Sequence, residues 1–149
     1  MDIVNKIDKE DIYDLSKIGE ESLPIYYTMY HLLEILSDSS YVIFKCMLNN
    51  TIIGFAIIKI YNSKHLHVMS IAISKKYRNT GCGSKLLNHL KIKFMNHKIT
   101  LYVQIQNNPA VQFYLKNGFE IKNTIENYYD ELEHKDAYYC EYNPSFLKV

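Results

Sequence analysis

The chain has 149 residues, 48% hydrophobic and 22% charged, with a formal net charge of +1. That length fits one domain, expected over residues 1–149, large enough to bury roughly two-thirds of its unfolded surface. Its lysines form no basic footprint for nucleic acid, no apolar run approaches a membrane span, and the charged start MDIVNKIDKEDIYDL lacks a secretory core, so a cytoplasmic protein with neither nucleic-acid nor membrane partners is expected.

After a short apolar start, Asp8 is placed to cap a helix to about Glu21 with Ile12, Leu15 and Ile18 on one face. Pro24 interrupts it, and Tyr27 to Leu36 reads as a second helix in which Tyr30, Leu33 and Leu36 recur. The period then changes to two. Residues 41–48 and 51–61 form a hairpin around Asn49-Asn50, and residues 65–74, apolar on both faces, read as a central strand.

A helix to about His97 follows, with Leu86, Leu87, Leu90 and Phe94 as its buried stripe. Residues 99–107 are the next strand, and Pro109 opens a helix that stops at Gly118. Residues 119–129 and 136–142 are the last strand candidates. Strand, helix, strand in the middle requires a right-handed crossover, so residues 65–107 contain a parallel pair. The class is α/β with a mixed sheet, and a ligand site belongs at the carboxyl ends of the central strands.

Cys46, Cys82 and Cys140 have neither zinc-site spacing nor an even count, so reduced thiols and no metal are expected. The stretch YRNTGCGSKLLNHL places Gly81 and Gly83 at the mouth of a helix, directly after Arg78. A helix N-terminus offers free N–H groups and the positive end of the macrodipole, which suits phosphate, while small residues let a backbone approach closely. Close packing between helices is the other reading of the same two glycines.

Arg78-x-x-Gly81-x-Gly83 after a strand, then a strand ending in QNNPA and the segment FYLKNGFE, resembles the GNAT superfamily of acetyl-coenzyme A dependent N-acetyltransferases. Within it the chain is most similar to the NatE-type N-alpha-acetyltransferases, from LPIYY (23–27) to ENYYDELE (126–133). The resemblance implies the GNAT fold: a mixed, mostly antiparallel central sheet with a splayed parallel strand pair and flanking helices.

It also implies roles. Main-chain groups of Ile71 and Ile73 match the positions that hold the pantetheine arm, and Arg78, Asn79, Thr80, Gly81, Cys82, Gly83 and Ser84 match the pyrophosphate loop. Asn107 and Tyr114 match the family's asparagine and the tyrosine near the thioester sulfur, which protonates the departing thiolate. Without the motif, Tyr114 reads as a core ring beside Phe113. Cys82 is not expected to carry the acyl group.

His67 and Tyr102 fall on positions where the resembled enzymes carry tyrosine and histidine, the same two types exchanged between strands. His67 as general base with Tyr102 as relay is one reading, and a hydrogen-bonded strand histidine is the other. Pro24, Ile25, Tyr27, Met69, Tyr128 and Tyr129 match the peptide side, with Leu23 replacing an aromatic before the proline. Tyr128 and Tyr129 alternatively pack against Tyr138 and Tyr139.

The implied reaction is direct attack, in a ternary complex, of a protein α-amino group on acetyl-coenzyme A, with methionine and then an apolar residue at the acceptor N-terminus. An auxiliary or ribosome-associated subunit belongs to the same implication. A small amine or lysine as acceptor, or a coenzyme-binding module without turnover, are the competing readings.

Overall fold

In the computed structural model, which describes residues 1–144, the alternation of periods resolves into strands β1 (Asp2–Val4), β2 (Tyr41–Leu48), β3 (Thr51–Asn62), β4 (His65–Ile73), β5 (Lys98–Gln104), β6 (Glu120–Ile125) and β7 (Ala137–Tyr142). The helices are α1 (Asp11–Ser22), α2 (Met29–Leu36), α3 (Cys82–Lys93) and α4 (Asn108–Lys116), with one 3-10 turn at Lys75–Tyr77. The strands form one sheet in the order β1-β2-β3-β4-β5-β7-β6, antiparallel throughout except between β4 and β5. The mixed sheet and its parallel pair are those expected. The last five residues of the expected 1–149 domain lie outside the described residues.

Local chemistry accounts for the elements. Asn49 and Asn50 have φ of 50° and 61°, so both turn residues adopt the left-handed region that matches the twist of a two-residue hairpin. Residues 43, 55 and 57 pack with α1 and α2, whereas 44, 56 and 58 pack with α3 and α4, the parity expected of strands buried on both faces. Among the described residues no helix is long and apolar enough to cross a membrane.

Several boundaries differ from the sequence reading. Helix α2 starts at Met29, not Tyr27, because the Thr28 side chain accepts from the His31 amide as its cap. Strand β6 ends at Ile125, not at 129, with Asn127 in the left-handed region at φ of 55°. Helix α1 starts at Asp11 because the Asp8 amide donates to Asp11 Oδ2 at 2.8 Å and closes a turn before the helix. The same carboxylate receives Lys45 Nζ at 2.7 Å; burial pushes its pKa up, but the Lys45 hydrogen bond and charge together with the Asp8 amide outweigh that and hold it below the usual carboxylate range. Helix α3 ends at Lys93, since Phe94 leaves helical geometry. Strand β5 ends at Gln104, because the Asn107 amide folds back onto the Gln104 carbonyl at 3.0 Å and the Asn107 side chain accepts from the Ala110 amide at 3.3 Å as the cap of α4.

In α2 the expected stripe is on the wrong side. Leu32 is 1% exposed, while Tyr30, Leu33 and Leu36 are 67%, 44% and 38% exposed. The helix spans only two turns and packs through Leu32 and Ile35, so a three-residue spacing among its many apolar positions traced the outer face.

The feature that positions the site is the short β4–β5 ladder. Its parallel register has three pairs, His65 with Lys98, Leu66 with Ile99 and His67 with Thr100. Beyond them β4 bends: Val68 faces Ile58 and Ser70 faces Ile57, leaving Met69 as the extra residue of a bulge. The two strands part on the carboxyl side of His67.

Candidate active site

The gap between the parted strands opens into a cavity of about 870 Å³. It is lined by β4 from His67 to Ile73, the β5 residues Leu101 to Gln104, the α1–α2 connection, the loop into α3, one face of α4 and the β6–β7 connection.

At one end is the start of α3. Gly81 caps the helix with φ of 86° and has no heavy atom near the position of a Cβ, so its requirement is conformational. Gly83 differs: a Cβ there would lie 2.9 Å from Phe113 Cζ, so its smallness lets α4 close on α3. The two glycines thus answer to both sequence readings, one by backbone and one by packing.

The first amides of α3 have no acceptor within the helix, and no side chain caps them. They give this end of the cavity a positive character that Arg78 and Lys116 reinforce. Arg78 Nε donates to the Ile73 carbonyl at 3.1 Å, tying the loop to the end of β4. Asn117 Nδ2 donates to Ser84 Oγ at 3.2 Å, which brings the last turn of α4 beside the start of α3. Thr80 and Cys82 differ from their neighbours: their side chains contact each other at 3.1 Å and do not line the cavity.

His67 stands where the ladder ends. It is 8% exposed, its Nδ1 lies 2.7 Å from Thr100 Oγ1, and its ring is 5.2 Å from that of Tyr102. The same Thr100 oxygen lies 2.8 Å from Nε2 of His65, which stacks on Tyr61 with ring centroids 5.0 Å apart. Burial, with a smaller contribution from His65, lowers the His67 pKa from 6.5 to about 4. The imidazole is therefore neutral near pH 7.

Tyrosines make the far wall. Tyr128 stacks on Tyr102 with ring centroids 4.2 Å apart, and Tyr129 meets Tyr128 edge-on at 4.8 Å. Packing of the pair on Tyr138 and Tyr139 is not what holds Tyr128; its partner is the β5 ring. Burial raises the phenol pKa of Tyr27, Tyr102 and Tyr128, and pushes Tyr129 up to about 12. Tyr114 is held well above the tyrosine range by desolvation, with its ring between Phe113 and Phe119. All these hydroxyls stay protonated and can donate.

The cavity brings together most residues singled out from sequence: Pro24, Ile25, Tyr27, His67, Met69, Ile71, Ile73, Arg78, Asn79, Gly81, Gly83, Ser84, Tyr102, Asn107, Tyr114, Tyr128 and Tyr129. Sequence reasoning did not find Thr100, the partner of both histidines, nor the dependence of Gly83 on Phe113. Thr100 is separated from His67 by 33 positions, and only the strand register joins them. The carboxylate on the cavity lining is Glu131.

Comparison with known proteins gives a consistent result. Residues 8–119 match the Acetyltransferase (GNAT) family. N-alpha-acetyltransferase 50 from Danio rerio is 45% identical over 83 residues, which are 52% of this chain and 48% of that protein; the match thus spans about half of that relative. An N-alpha-acetyltransferase from Saccharolobus solfataricus is 30% identical over 144 residues, 87% of this chain and 85% of its own. Among solved structures, Arabidopsis thaliana Naa50 in complex with the bisubstrate analogue CoA-Ac-MVNAL superposes with a TM-score of 0.76 at 26% identity, covering 94% of this chain and 96% of that one.

Proposed function

The chain belongs to the acetyltransferase (GNAT) family, and from that premise we propose that it transfers an acetyl group from acetyl-coenzyme A to the α-amino group of a protein N-terminus, methionine followed by an apolar residue. The observation that carries the reading is the cavity itself, in which unpartnered helix amides and cations stand at one end and a cage of protonated tyrosines at the other, with His67 between parted strands. The relatives' names and the peptide-bearing analogue of the Arabidopsis protein support the same class of acceptor.

The donor end suits a pyrophosphate by its own chemistry. The amides at 82–84, with Arg78 and Lys116, would hold the anion, and Ile71 and Ile73 would offer main-chain groups to the extended arm along the unpaired edge of β4. When bound, acetyl-coenzyme A supplies the thioester carbon that the amine attacks. An N–H of β4 near Ile71 would take up charge on the acetyl oxygen. As the N–C bond forms and the C–S bond breaks, Tyr114 gives its proton to the leaving sulfur. Asn107 has its side-chain oxygen engaged as the α4 cap, so what it offers the arm is its remaining Nδ2.

The low pKa of His67 defines what it does. An α-amino group has a pKa of about 8, so about a tenth of it is neutral near pH 7 without help. An imidazole at about 4 cannot strip the ammonium beforehand. Its Nε2 accepts the proton when the nitrogen becomes acidic during bond formation, with Tyr102 orienting the amine beside it. Pro24, Ile25, Tyr27, Met69, Tyr128 and Tyr129 enclose the first side chain of the acceptor. The expected setting is the cytosol, where an auxiliary or ribosome-associated subunit would present nascent chains, and the three cysteines are unpaired.

The test is acetylation by acetyl-coenzyme A of peptide arrays with free N-termini against N-blocked peptides containing lysine, with spermidine as a third acceptor. Product on Met-apolar N-termini is expected. Product on lysine or spermidine alone overturns the acceptor assignment, and coenzyme binding without product from any amine points to a module without turnover.

A further inference from the structure

We propose that Thr100 is a positioning residue: its hydroxyl holds His67 in the Nδ1–H tautomer, so that the Nε2 lone pair faces the cavity. The inference rests on the reading that His67 Nε2 accepts the amine's proton, and its geometry lies outside the matched motifs.

A threonine hydroxyl has one proton and two acceptor sites. Three groups surround Thr100 Oγ1: His67 Nδ1 at 2.7 Å, His65 Nε2 at 2.8 Å and the Leu66 carbonyl at 3.5 Å. The carbonyl can only accept. If the hydroxyl proton points at Leu66, both imidazoles donate to Oγ1 and every site on it is used. If the proton points at His65, Nδ1 of His67 still donates. In both arrangements the His67 proton is on Nδ1 and the lone pair is on Nε2.

The opposite tautomer arises only if Thr100 gives its proton to His67, which obliges His65 to donate in turn. Free imidazole in water favours the Nε2–H form, so the Nδ1–H form needs the Thr100 proton directed away from His67, and the contact of the hydroxyl with the Leu66 carbonyl at 3.5 Å directs it so. The site is built for it: Thr100 is fully buried, it is the in-register partner of His67, and it lies on the last rung before the strands part. With Nδ1 engaged on this rung, Nε2 is the ring nitrogen left to the cavity that His67 lines. His65 shares the oxygen from the solvent side, where it stacks on Tyr61 and has Lys98 and Glu141 near it.

The experiment is nitrogen-15 NMR of the histidine rings in the unliganded full chain at pH 7, for wild type, Thr100→Val and Thr100→Ser, beside steady-state kinetics. Wild-type His67 should carry its proton on Nδ1. Thr100→Val should move it to Nε2 and lower kcat by roughly tenfold or more, up to the full factor of about 10²- to 10⁴-fold that a positioned base supplies. The KM for acetyl-coenzyme A should not change, and Thr100→Ser should restore both tautomer and rate. An Nε2–H tautomer in wild type, or an unmoved tautomer in folded Thr100→Val, overturns the proposal. Should Thr100→Val fail to fold, the wild-type spectrum decides. The tautomer is read without substrate, so absence of acetylation on every amine would sink the functional reading and leave this measurement standing.

Discussion

Tyr128 of the β6–β7 connection lies flat on Tyr102 of β5, with ring centroids 4.2 Å apart and planes 21° from parallel. The stack helps fasten an otherwise irregular connection to the mouth of the cavity, beside the Gln104 side chain that donates to the His134 carbonyl at 2.7 Å and the Ile105 amide that donates to the Asp136 carbonyl at 3.0 Å. Such aromatic pairs contribute about 0.5–1.5 kcal/mol. Tyr128→Ala should therefore raise the KM for the peptide by roughly two- to tenfold and leave that for acetyl-coenzyme A alone, with Tyr128→Phe close to wild type. Steady-state kinetics with each substrate varied in turn would show it, and equal effects on both would rule it out.

Replacing His67 by glutamine should lower kcat by roughly 10²- to 10⁴-fold, the range for a lost positioned base. The acid limb of kcat/KM should stay near the acceptor amine's pKa of about 8, because His67 titrates far below it, at about 4. A limb at 6.5 that vanishes in His67→Gln would contradict the placement of the imidazole pKa.

The same burial makes stability depend on pH. An unfolded imidazole binds its proton below pH 6.5, whereas the folded one refuses it until about 4, so between those values the unfolded state holds more protons and stability falls as pH drops. Below about 4 both states are protonated and this contribution levels off. The full effect is about 3 kcal/mol at the conversion of about 1.36 kcal/mol per decade. Urea unfolding at pH 7 and pH 4 should show a smaller loss in His67→Gln than in wild type; equal losses would argue against it.

Gly81 and Gly83 should fail in different ways. Alanine at Gly81 meets no neighbour but must hold φ of 86°, at a cost of about 1–2 kcal/mol. Alanine at Gly83 meets Phe113 Cζ at 2.9 Å, and the overpacking costs about 1–3 kcal/mol. Phe113→Leu should rescue Gly83→Ala and not Gly81→Ala in thermal unfolding; rescue of both, or of neither, would refute the distinction.

Tyr114→Phe should lower kcat by roughly 10²-fold with little change in melting temperature, since the ring contacts with Phe113 and Phe119 remain and only the hydroxyl is lost. A loss confined to acetyl-coenzyme A binding would mean that the hydroxyl holds the donor and does not protonate sulfur.

The sheet, the parallel crossover and the helix after Gly81 were legible because each rests on a local signal: period two with β-branched residues, Asn-Asn between strands, a leucine stripe at helical spacing. The glycine motif by itself gave only the anion-binding mouth of a helix, and most of the cavity lining was reached through the family resemblance that this motif and the segments after it carry. Helix α2 was misread in its facing, because in two turns rich in apolar side chains several stripes are equally regular and only the packed neighbour selects Leu32. Thr100 was invisible because its importance is a matter of register between β4 and β5, and the pKa of His67 was invisible because desolvation is a property of the assembled interior.

The three rungs between β4 and β5, with the Thr100 contacts to His65 and His67 and the Lys98 amide on the Lys64 carbonyl, form the seam among the described residues between two half-sheets, one of β1 to β4 and the other of β5, β7 and β6. A molecule lying in the gap beyond His67 stands where further rungs would have been, so occupancy works as a splice between the halves. Ligand binding should then raise the unfolding temperature and slow hydrogen exchange of β4 amides past the bulge. The incomplete ladder makes the protein's mechanical unity a quantity that its own donor completes.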